Sequence, residues 1–353
     1  MHKYNYQWKL SQLPVPTRGK VFSCFACGGD SSMGYKLAGF DVVGCNEIDP
    51  RMAAVYKKNL NPKYIYVEDI REFVAREDYP PELYQLDILD GSPPCSSFSI
   101  AGSREKAWGK MKKFREGQAE QVLDTLFFDF IQLAKRLQPK VVVAENVKGL
   151  VLGNAKDYVR RIYQGFEDAG YYVKHFLLDA QRMGVPQRRE RVFFLCLRKD
   201  IASPVLVQDG LFDMTPRIEM EFNEKPILFR EVADYSGDEV NSKVARTLWE
   251  NRQYGDTNQG DANFRLYGKG SNFNQAYVYT DKICPTLASK KTCLIHFDKP
   301  LYLGQSEVCC ISSFPQDYNF AGQQPHYVCG MSVPPVMMAQ VASRIYDYWL
   351  SKI

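Results

Sequence analysis

In the first two hundred residues, short apolar runs recur between longer stretches whose apolar positions fall three to four apart. The runs 21–26, 41–46, 86–90, 141–144 and 192–197 are bounded by Gly, Pro, Asp or Asn, which predicts strands. The segments 33–38, 50–59, 124–137 and 157–169 carry the helical spacing, which predicts crossover helices on a parallel sheet. Strands covered on both faces should be as uniformly apolar as these. Beyond about residue 200 the alternation gives way to Asn/Gln-, Gly- and Tyr-rich sequence that runs to about residue 279, a separate lobe. Pro334 and Pro335 then open an apolar-periodic stretch, 336–350, that predicts a terminal helix. No internal repeat is present.

At 353 residues, the chain is long for one core, so a large domain with a smaller lobe is the expectation. No run of eighteen apolar residues predicts a membrane span, and residues 1–20 lack the apolar core of a secretory signal, which places the chain in the cytoplasm. Ten cysteines without such a signal argue for reduced thiols. The formal charge of +4 calls for no polyanionic partner by itself. Its distribution is uneven: six basic residues against one acidic in 103–115, nine acidic against three basic in 209–239. The acidic stretch reads as a solvated linker face.

Four constellations carry chemistry. Phe25-Ala-Cys-Gly-Gly-Asp follows a predicted strand and leads into a helix, with Asn46-Glu47-Ile48-Asp49 about 20 residues on. Glycines admit a ligand close to the backbone, and an acid ending the next strand can accept hydrogen bonds from ribose hydroxyls. An adenosine-containing cofactor and a structural turn both satisfy this piece. Cys24-x-x-Cys27 has no second pair at zinc spacing, so no metal site is expected. Asp90-Gly-Ser-Pro-Pro-Cys95 follows the run 86–89; a cysteine on a stiff Pro-Pro turn at a strand's carboxyl end suits a nucleophile, although a buried small hydrophobe is a cysteine's commoner role. Glu145-Asn146 ends the run 141–143, and a carboxylate beside apolar neighbours should have a raised pKa, as a general acid needs; a helix cap or turn pair fits equally. Gln187-Arg-Arg-Glu-Arg191 puts Arg189 and Arg191 on one face of a strand edge, fit to hold an anion or a base edge, unless it is a solvated charge run.

In order, content and spacing these four motifs resemble the cytosine-5 DNA methyltransferase family: its glycine loop, Pro-Cys nucleophile, Glu-Asn-Val and Gln-x-Arg-x-Arg. Phe314-Pro-Gln-Asp-Tyr318 and Gly330-Met-Ser-Val-Pro-Pro335 resemble its last two motifs, so the resemblance spans roughly 20–200 and 285–350. It implies an α/β fold, a Rossmann-like adenosyl-methionine-dependent methyltransferase sheet with a smaller, loop-rich target-recognition domain. The catalytic domain would hold 1–205 and 301–353, and the recognition domain with its hinge 206–300. The implied reaction is methylation of carbon 5 of a flipped-out cytosine. Cys95 adds to carbon 6, Glu145 protonates or hydrogen-bonds ring nitrogen 3, Arg189 orients the base, Arg191 supports the same wall and Asn146 positions the loop.

By the same resemblance S-adenosyl-methionine, with S-adenosyl-homocysteine as product, meets Phe25, Gly29, Glu47, Ile48, Asp69, Ile70, Pro93, Leu126 and Ser332. The basic loop 103–115, with Arg104, Lys110, Lys112, Lys113 and Arg115, is a candidate for closing over double-stranded DNA. Arg252 and Arg265, among the Asn and Gln residues of 251–275, are candidates for reading base edges. A monomer paired in function with a restriction endonuclease, in a bacterial cytoplasm at the nucleoid, completes the expectation. The chain departs from the family at Cys27 and Asp30, which stand where glycines are usual, at Met331 in place of Asn, and at Asp124-Thr125 before Leu126. A transfer-RNA cytosine methyltransferase shares the motifs, but its Cys-Phe-Thr signature is missing here. A binding module would lack the nucleophile, and a nicotinamide oxidoreductase leaves three motifs unexplained.

Overall fold

The computed structural model describes residues 2–94, 125–152, 156–209, 213–270 and 275–353. The chain divides into two compact units. The first holds Leu13–Leu178, Glu190–Glu221 and Met338–Ile353; the second holds Met1–Gln12, Asp179–Arg189 and Phe222–Met337. The late boundary between the units lies at residue 337, against 300 in the division that the family resemblance implies.

In the first unit the elements run β1 (Lys20–Cys24), α1 (Asp30–Leu37), β2 (Asp41–Asn46), α2 (Pro50–Leu60), β3 (Tyr64–Tyr66), α3 (Ile70–Ala75), β4 (Ile88–Gly91), α4 (Leu126–Leu137), β5 (Val141–Val147), α5 (Lys156–Asp168), β6 (Tyr171–Asp179) and β7 (Glu190–Arg198). The pair β8 (Leu206–Asp209) and β9 (Asp213–Pro216) is antiparallel. Strand order in the sheet is β3-β2-β1-β4-β5-β7-β6. β1 lies between β2 and β4, so the order reverses there, and the carboxyl ends of β1 and β4 flank the crevice where such sheets bind ligands.

The sheet corrects the expectation of an all-parallel arrangement. β1, β2, β3, β4 and β5 pair in parallel, but β7 runs antiparallel to β5. A strand covered on both faces is apolar throughout whichever way it points, so its sequence carries no mark of direction. β3 and β6 lie outside the predicted strands. β3 is only three residues long, and β6 leaves several positions exposed or half-exposed, so neither presents a clean apolar run.

Alternation along the strands divides the two faces. Phe22, Cys24, Leu89, Val142 and Ala144 join Phe73, Phe127, Phe130 and Phe166 of the helices α3, α4 and α5 in one buried cluster. Ser23, Asp90 and Val143, one residue out of phase, face the other way, where Tyr35 of α1 meets Asp90. Burying the large apolar side chains of that cluster, at roughly 1.5–3 kcal/mol each, outweighs the polar residues on the second face.

The second unit holds α6 (Lys243–Glu250), α7 (Gln259–Tyr267), the parallel pair β10 (Ala276–Val278) and β11 (Leu294–His296), α8 (Gln305–Ile311) and α9 (Pro325–Met331). Its core gathers Val240, Ala245, Tyr277, Tyr279, Ile295 and Tyr302, with Trp249 and Phe297 packed against it. Local capping explains its helices: Ser242 caps α6, and Asn258 caps α7 in a reciprocal box with Asp261. The terminal helix α10 (Pro335–Tyr348) forms as its Pro-Pro start predicts. Among the described residues no helix is long and apolar enough to cross a membrane.

Candidate active site

The glycine turn after β1 is shaped by backbone geometry. Phe25 and Cys27 adopt φ of 53° and 45°, and Gly29 caps α1 at 94°. A Cβ on Gly29 would lie 2.5 Å from Leu60 Cδ1, so the position has neither the conformational freedom nor the space for a side chain. Glu47, at the end of β2, clamps this turn: its carboxylate accepts the N–H of Cys27 at 2.7 Å and of Asp49 at 2.8 Å. Burial pushes its pKa up, and the backbone donors oppose the shift. Burial also drives the Cys27 thiol well up, with Asp30 and Glu47 adding to the effect. A protonated thiol is a poor metal or redox ligand. Among the described residues no group of His, Cys, Asp and Glu could hold a metal ion.

Next to Glu47, Ile48 is exposed, and Asn46 donates to the Glu68 carbonyl at 2.9 Å, tying the ends of β2 and β3 together. Asp69 caps α3 and grips Arg71, whose guanidinium holds its carboxyl below the usual range. Ile70 and Leu126 share the buried cluster, and Phe25 meets Phe130 edge-on at 6.3 Å. Phe25, Glu47, Ile48 and Asp69 thus lie on the segments that follow β1, β2 and β3.

Beyond β4, Pro93 is buried and its carbonyl accepts a hydrogen bond from Asn146 Nδ2 at 3.1 Å. Asn146 also accepts from the Val147 N–H at 2.9 Å, which fixes its amide. A side chain at the end of β5 therefore holds the segment that follows β4 at Pro93. Glu145 pairs with Arg191 Nε at 2.9 Å, both nearly buried, with side-chain exposures of 9% and 15%. The antiparallel register sets Glu145 opposite Phe193 and Val147 opposite Arg191, so the acid and the arginine share a face two residues apart. Burial lowers the Arg191 pKa, while Glu145 and Asp30 support its charge. Glu145 thus stands against an arginine, where the sequence shows only apolar neighbours.

Other sequence candidates fall elsewhere. Arg189 precedes β7 and belongs to the second unit, so the two arginines do not alternate along one strand. It is 1% exposed and donates to the carbonyls of Leu287 at 3.0 Å and Gly330 at 2.9 Å. Gln187, to which the sequence alone assigns no role, is fully buried and bonds Leu287 N and Ile311 O, stitching the same segments. Ser332 ends α9, is buried, and donates to Val328 O. Arg252 lies 3.4 Å above the Trp249 ring and donates to backbone carbonyls, and Arg265 grips both Asp256 oxygens at 2.6 Å. Several amides nearby are spent on structure: Asn258 caps α7, Gln259 bonds Ala245 O and Asn263 bonds Lys269 O. Cys95, Arg104, Lys110, Lys112, Lys113 and Arg115, with the loop 103–115, lie outside the described residues, as do Asn272 and Asn274.

Comparison with known proteins decides the family. The description "C-5 cytosine-specific DNA methylase" matches residues 19–347. The chain belongs to that family. Among its relatives, the Type II methyltransferase M.FnuDI of Fusobacterium nucleatum is 37% identical over 182 residues, about half of each chain (52% here and 48% there). M.DdeI of Desulfomicrobium norvegicum is 27% identical over 93% of this chain and 89% of its own. A putative DNA modification methyltransferase encoded within an E. coli prophage superposes with a TM-score of 0.62 at 19% identity, covering 93% of this chain and 99% of the other. Spodoptera frugiperda DNMT2 gives 0.61 at 16%, covering 91% and 98%. These two show a shared fold. The order β3-β2-β1-β4-β5-β7-β6 with β7 antiparallel is thus the scaffold on which this family member carries its motifs.

Proposed function

We propose that the protein transfers a methyl group to carbon 5 of a flipped-out cytosine within a specific sequence of double-stranded DNA, as the modification enzyme of a Type II restriction–modification pair in a bacterial cytoplasm. The observation that carries this reading is the convergence at the carboxyl ends of β4 and β5. Asn146 holds the Pro93 carbonyl next to the nucleophile's turn, and Glu145 beside it is buried against Arg191.

Carbon 5 of cytosine is a weak nucleophile. Addition of the Cys95 thiolate to carbon 6, with transfer of a proton from Glu145 to ring nitrogen 3, leaves an enamine that is nucleophilic at carbon 5. S-adenosyl-methionine, when bound, supplies the methyl group and leaves as S-adenosyl-homocysteine. Removal of the carbon 5 proton by a base then expels the Cys95 thiolate, and ring nitrogen 3 returns its proton to the Glu145 carboxylate, which restores the ring and the acid. Arg191 keeps the Glu145 carboxyl in place, and Asn146 keeps the turn before Cys95 rigid. Phe25, Gly29, Glu47, Ile48, Asp69, Ile70, Pro93 and Leu126 would hold the adenosyl-methionine. The exposed apolar face of Ile48 at the end of β2 favours that assignment. The lobe that follows residue 206 is proposed to read the DNA.

The test uses labelled S-adenosyl-methionine with duplex DNA or transfer RNA. Wild-type protein should label DNA and the Cys95→Ala variant should not. Equal labelling by both proteins removes the Cys95 mechanism, and labelling of RNA alone replaces the substrate. Mapping the methylated cytosines then yields the recognition sequence.

A further inference from the structure

On the segment between β3 and α3, one carboxylate has its hydrogen-bonding capacity nearly filled by a single residue. Asp69 Oδ1 accepts the Arg71 backbone N–H at 2.9 Å and Arg71 Nε at 2.9 Å, and Oδ2 accepts Arg71 Nη2 at 2.6 Å. An ionised carboxylate offers about four lone-pair sites. Among the described residues, Arg71 thus takes both sites on Oδ1 and one on Oδ2, which leaves one acceptor position on Oδ2. The guanidinium holds the carboxyl below the usual range, so at neutral pH it is charged and can only accept. The Asp69 side chain is 17% exposed, so that position is open to a donor from outside the chain.

Exposed apolar side chains adjoin this segment. The Glu47 N–H on Tyr66 O at 3.0 Å and Asn46 Nδ2 on Glu68 O at 2.9 Å tie the ends of β2 and β3 together. Ile48 and Val67, which follow those tied ends, are large apolar residues left exposed. The neighbouring acids have other partners: Glu47 holds the N–H groups of Cys27 and Asp49, Asp49 that of Arg51, and Glu68 pairs with Arg76. Asp69 differs in facing two nitrogens of one guanidinium, an arrangement that fixes the plane of a carboxylate as well as its charge. Asp129, in the first turn of α4, and Glu72 also support the Arg71 charge. An adenine ring brings two apolar faces and one exocyclic donor, its 6-amino group.

We propose that Arg71 is a positioning residue that makes the protein select a 6-amino purine: by fixing the Asp69 carboxylate, it aims the remaining lone pair of Oδ2 at the adenine amino group of S-adenosyl-methionine. This role rests on Asp69 meeting the adenine, which belongs to the functional reading above. Without the guanidinium, Oδ1 keeps the Arg71 backbone N–H, but Oδ2 loses its partner and the carboxylate can turn about its Cβ–Cγ bond. The charge stays and the direction is lost. Lysine does not replace the fork, because a point charge cannot hold both oxygens in one plane. Arg71 touches no reacting atom, so its effect lies in the choice of cofactor.

Calorimetry with two probes tests this without turnover: S-adenosyl-homocysteine, and its analogue with hydrogen in place of the 6-amino group. From the worth of a hydrogen bond to a charged acceptor, the wild type should bind the amino compound about ten-fold more tightly, or better. Arg71→Met and Arg71→Lys should each cut that preference to about three-fold, by weakening the amino compound and leaving the analogue unchanged. Asp69→Asn, which still caps the helix, should abolish the preference. General damage to the fold would weaken both probes alike. An equal loss for both probes in Arg71→Met, or an intact preference there, overturns the role of Arg71. Full preference in Arg71→Lys shows that charge suffices and overturns the positioning. A wild type without preference, or an Asp69→Asn variant that retains it, overturns the assignment of Asp69 to the adenine and this inference with it. Loss in Asp69→Asn beside an intact preference in Arg71→Met overturns the role of Arg71 alone.

Discussion

Replacing Arg191 by methionine removes the guanidinium and leaves the Glu145 carboxylate buried. The charges sit 2.9 Å apart with side chains 15% and 9% exposed. At an effective dielectric of about 20, two unit charges at that separation attract by about 6 kcal/mol before the cost of removing both from water. Breaking a buried pair on one side leaves the desolvated partner uncompensated, at a net cost of about 3–5 kcal/mol. Arg191→Met should therefore lower stability by that amount in urea unfolding followed by circular dichroism. The double variant Arg191→Met/Glu145→Gln, with no charge left to strand, should recover to within about 1–2 kcal/mol of wild type. A loss below about 1 kcal/mol for the single variant, or a double variant equal to the sum of the singles, would refute the claim that the two groups act as a buried unit.

Three further outcomes follow from the geometry. Gly29→Ala should destabilise the first unit by about 2–3 kcal/mol, from left-handed strain and displacement of Leu60, and should weaken adenosyl-methionine binding measured by calorimetry. Arg265→Ala should lower the melting temperature but leave the methylated sequence unchanged, because its guanidinium is held by Asp256; an altered sequence on methylation mapping would return it to the DNA surface. Asp90, whose pKa is raised on folding to about 7, stabilises the fold below its unfolded value near 3.8, and that contribution is lost as pH rises through about 7. Wild type should therefore weaken between about pH 5 and 8 in urea titrations more than Asp90→Asn does, and parallel behaviour would show that Asp90 does not take up a proton on folding.

The candidate residues of this chain are marked by local features of its sequence. Glycines that tolerate left-handed backbone, a Pro-Pro turn before a cysteine, and a polar pair ending an apolar run each have a local cause, and local causes are readable in order along the chain. So Gly29, Glu47, Asn146 and Glu145 are legible as candidates, and the strand 41–46 and the helix starting at Pro50 fall where the periodicity puts them. Arg252 and Arg265 are legible as cations, but nothing local reveals that the protein itself holds them. Trp249 is three residues from Arg252, but Phe297 is brought to Arg252 only by the folding of the lobe, and Asp256 is nine residues from Arg265; a composition of arginines and amides looks the same whether it faces DNA or caps helices.

What the sequence by itself determined is the order of α/β elements and the residue types at each strand end, because periodicity, turn residues and caps act over a few positions. Only the tertiary structure decided that β7 enters antiparallel beside β5, and with it that Arg191 stands against Glu145. Only the register of β1, β4 and β5 put Ser23, Asp90 and Glu145 on one face. Both are pairings between segments tens of residues apart. They are set by which apolar faces can be buried together, and no single segment contains that information.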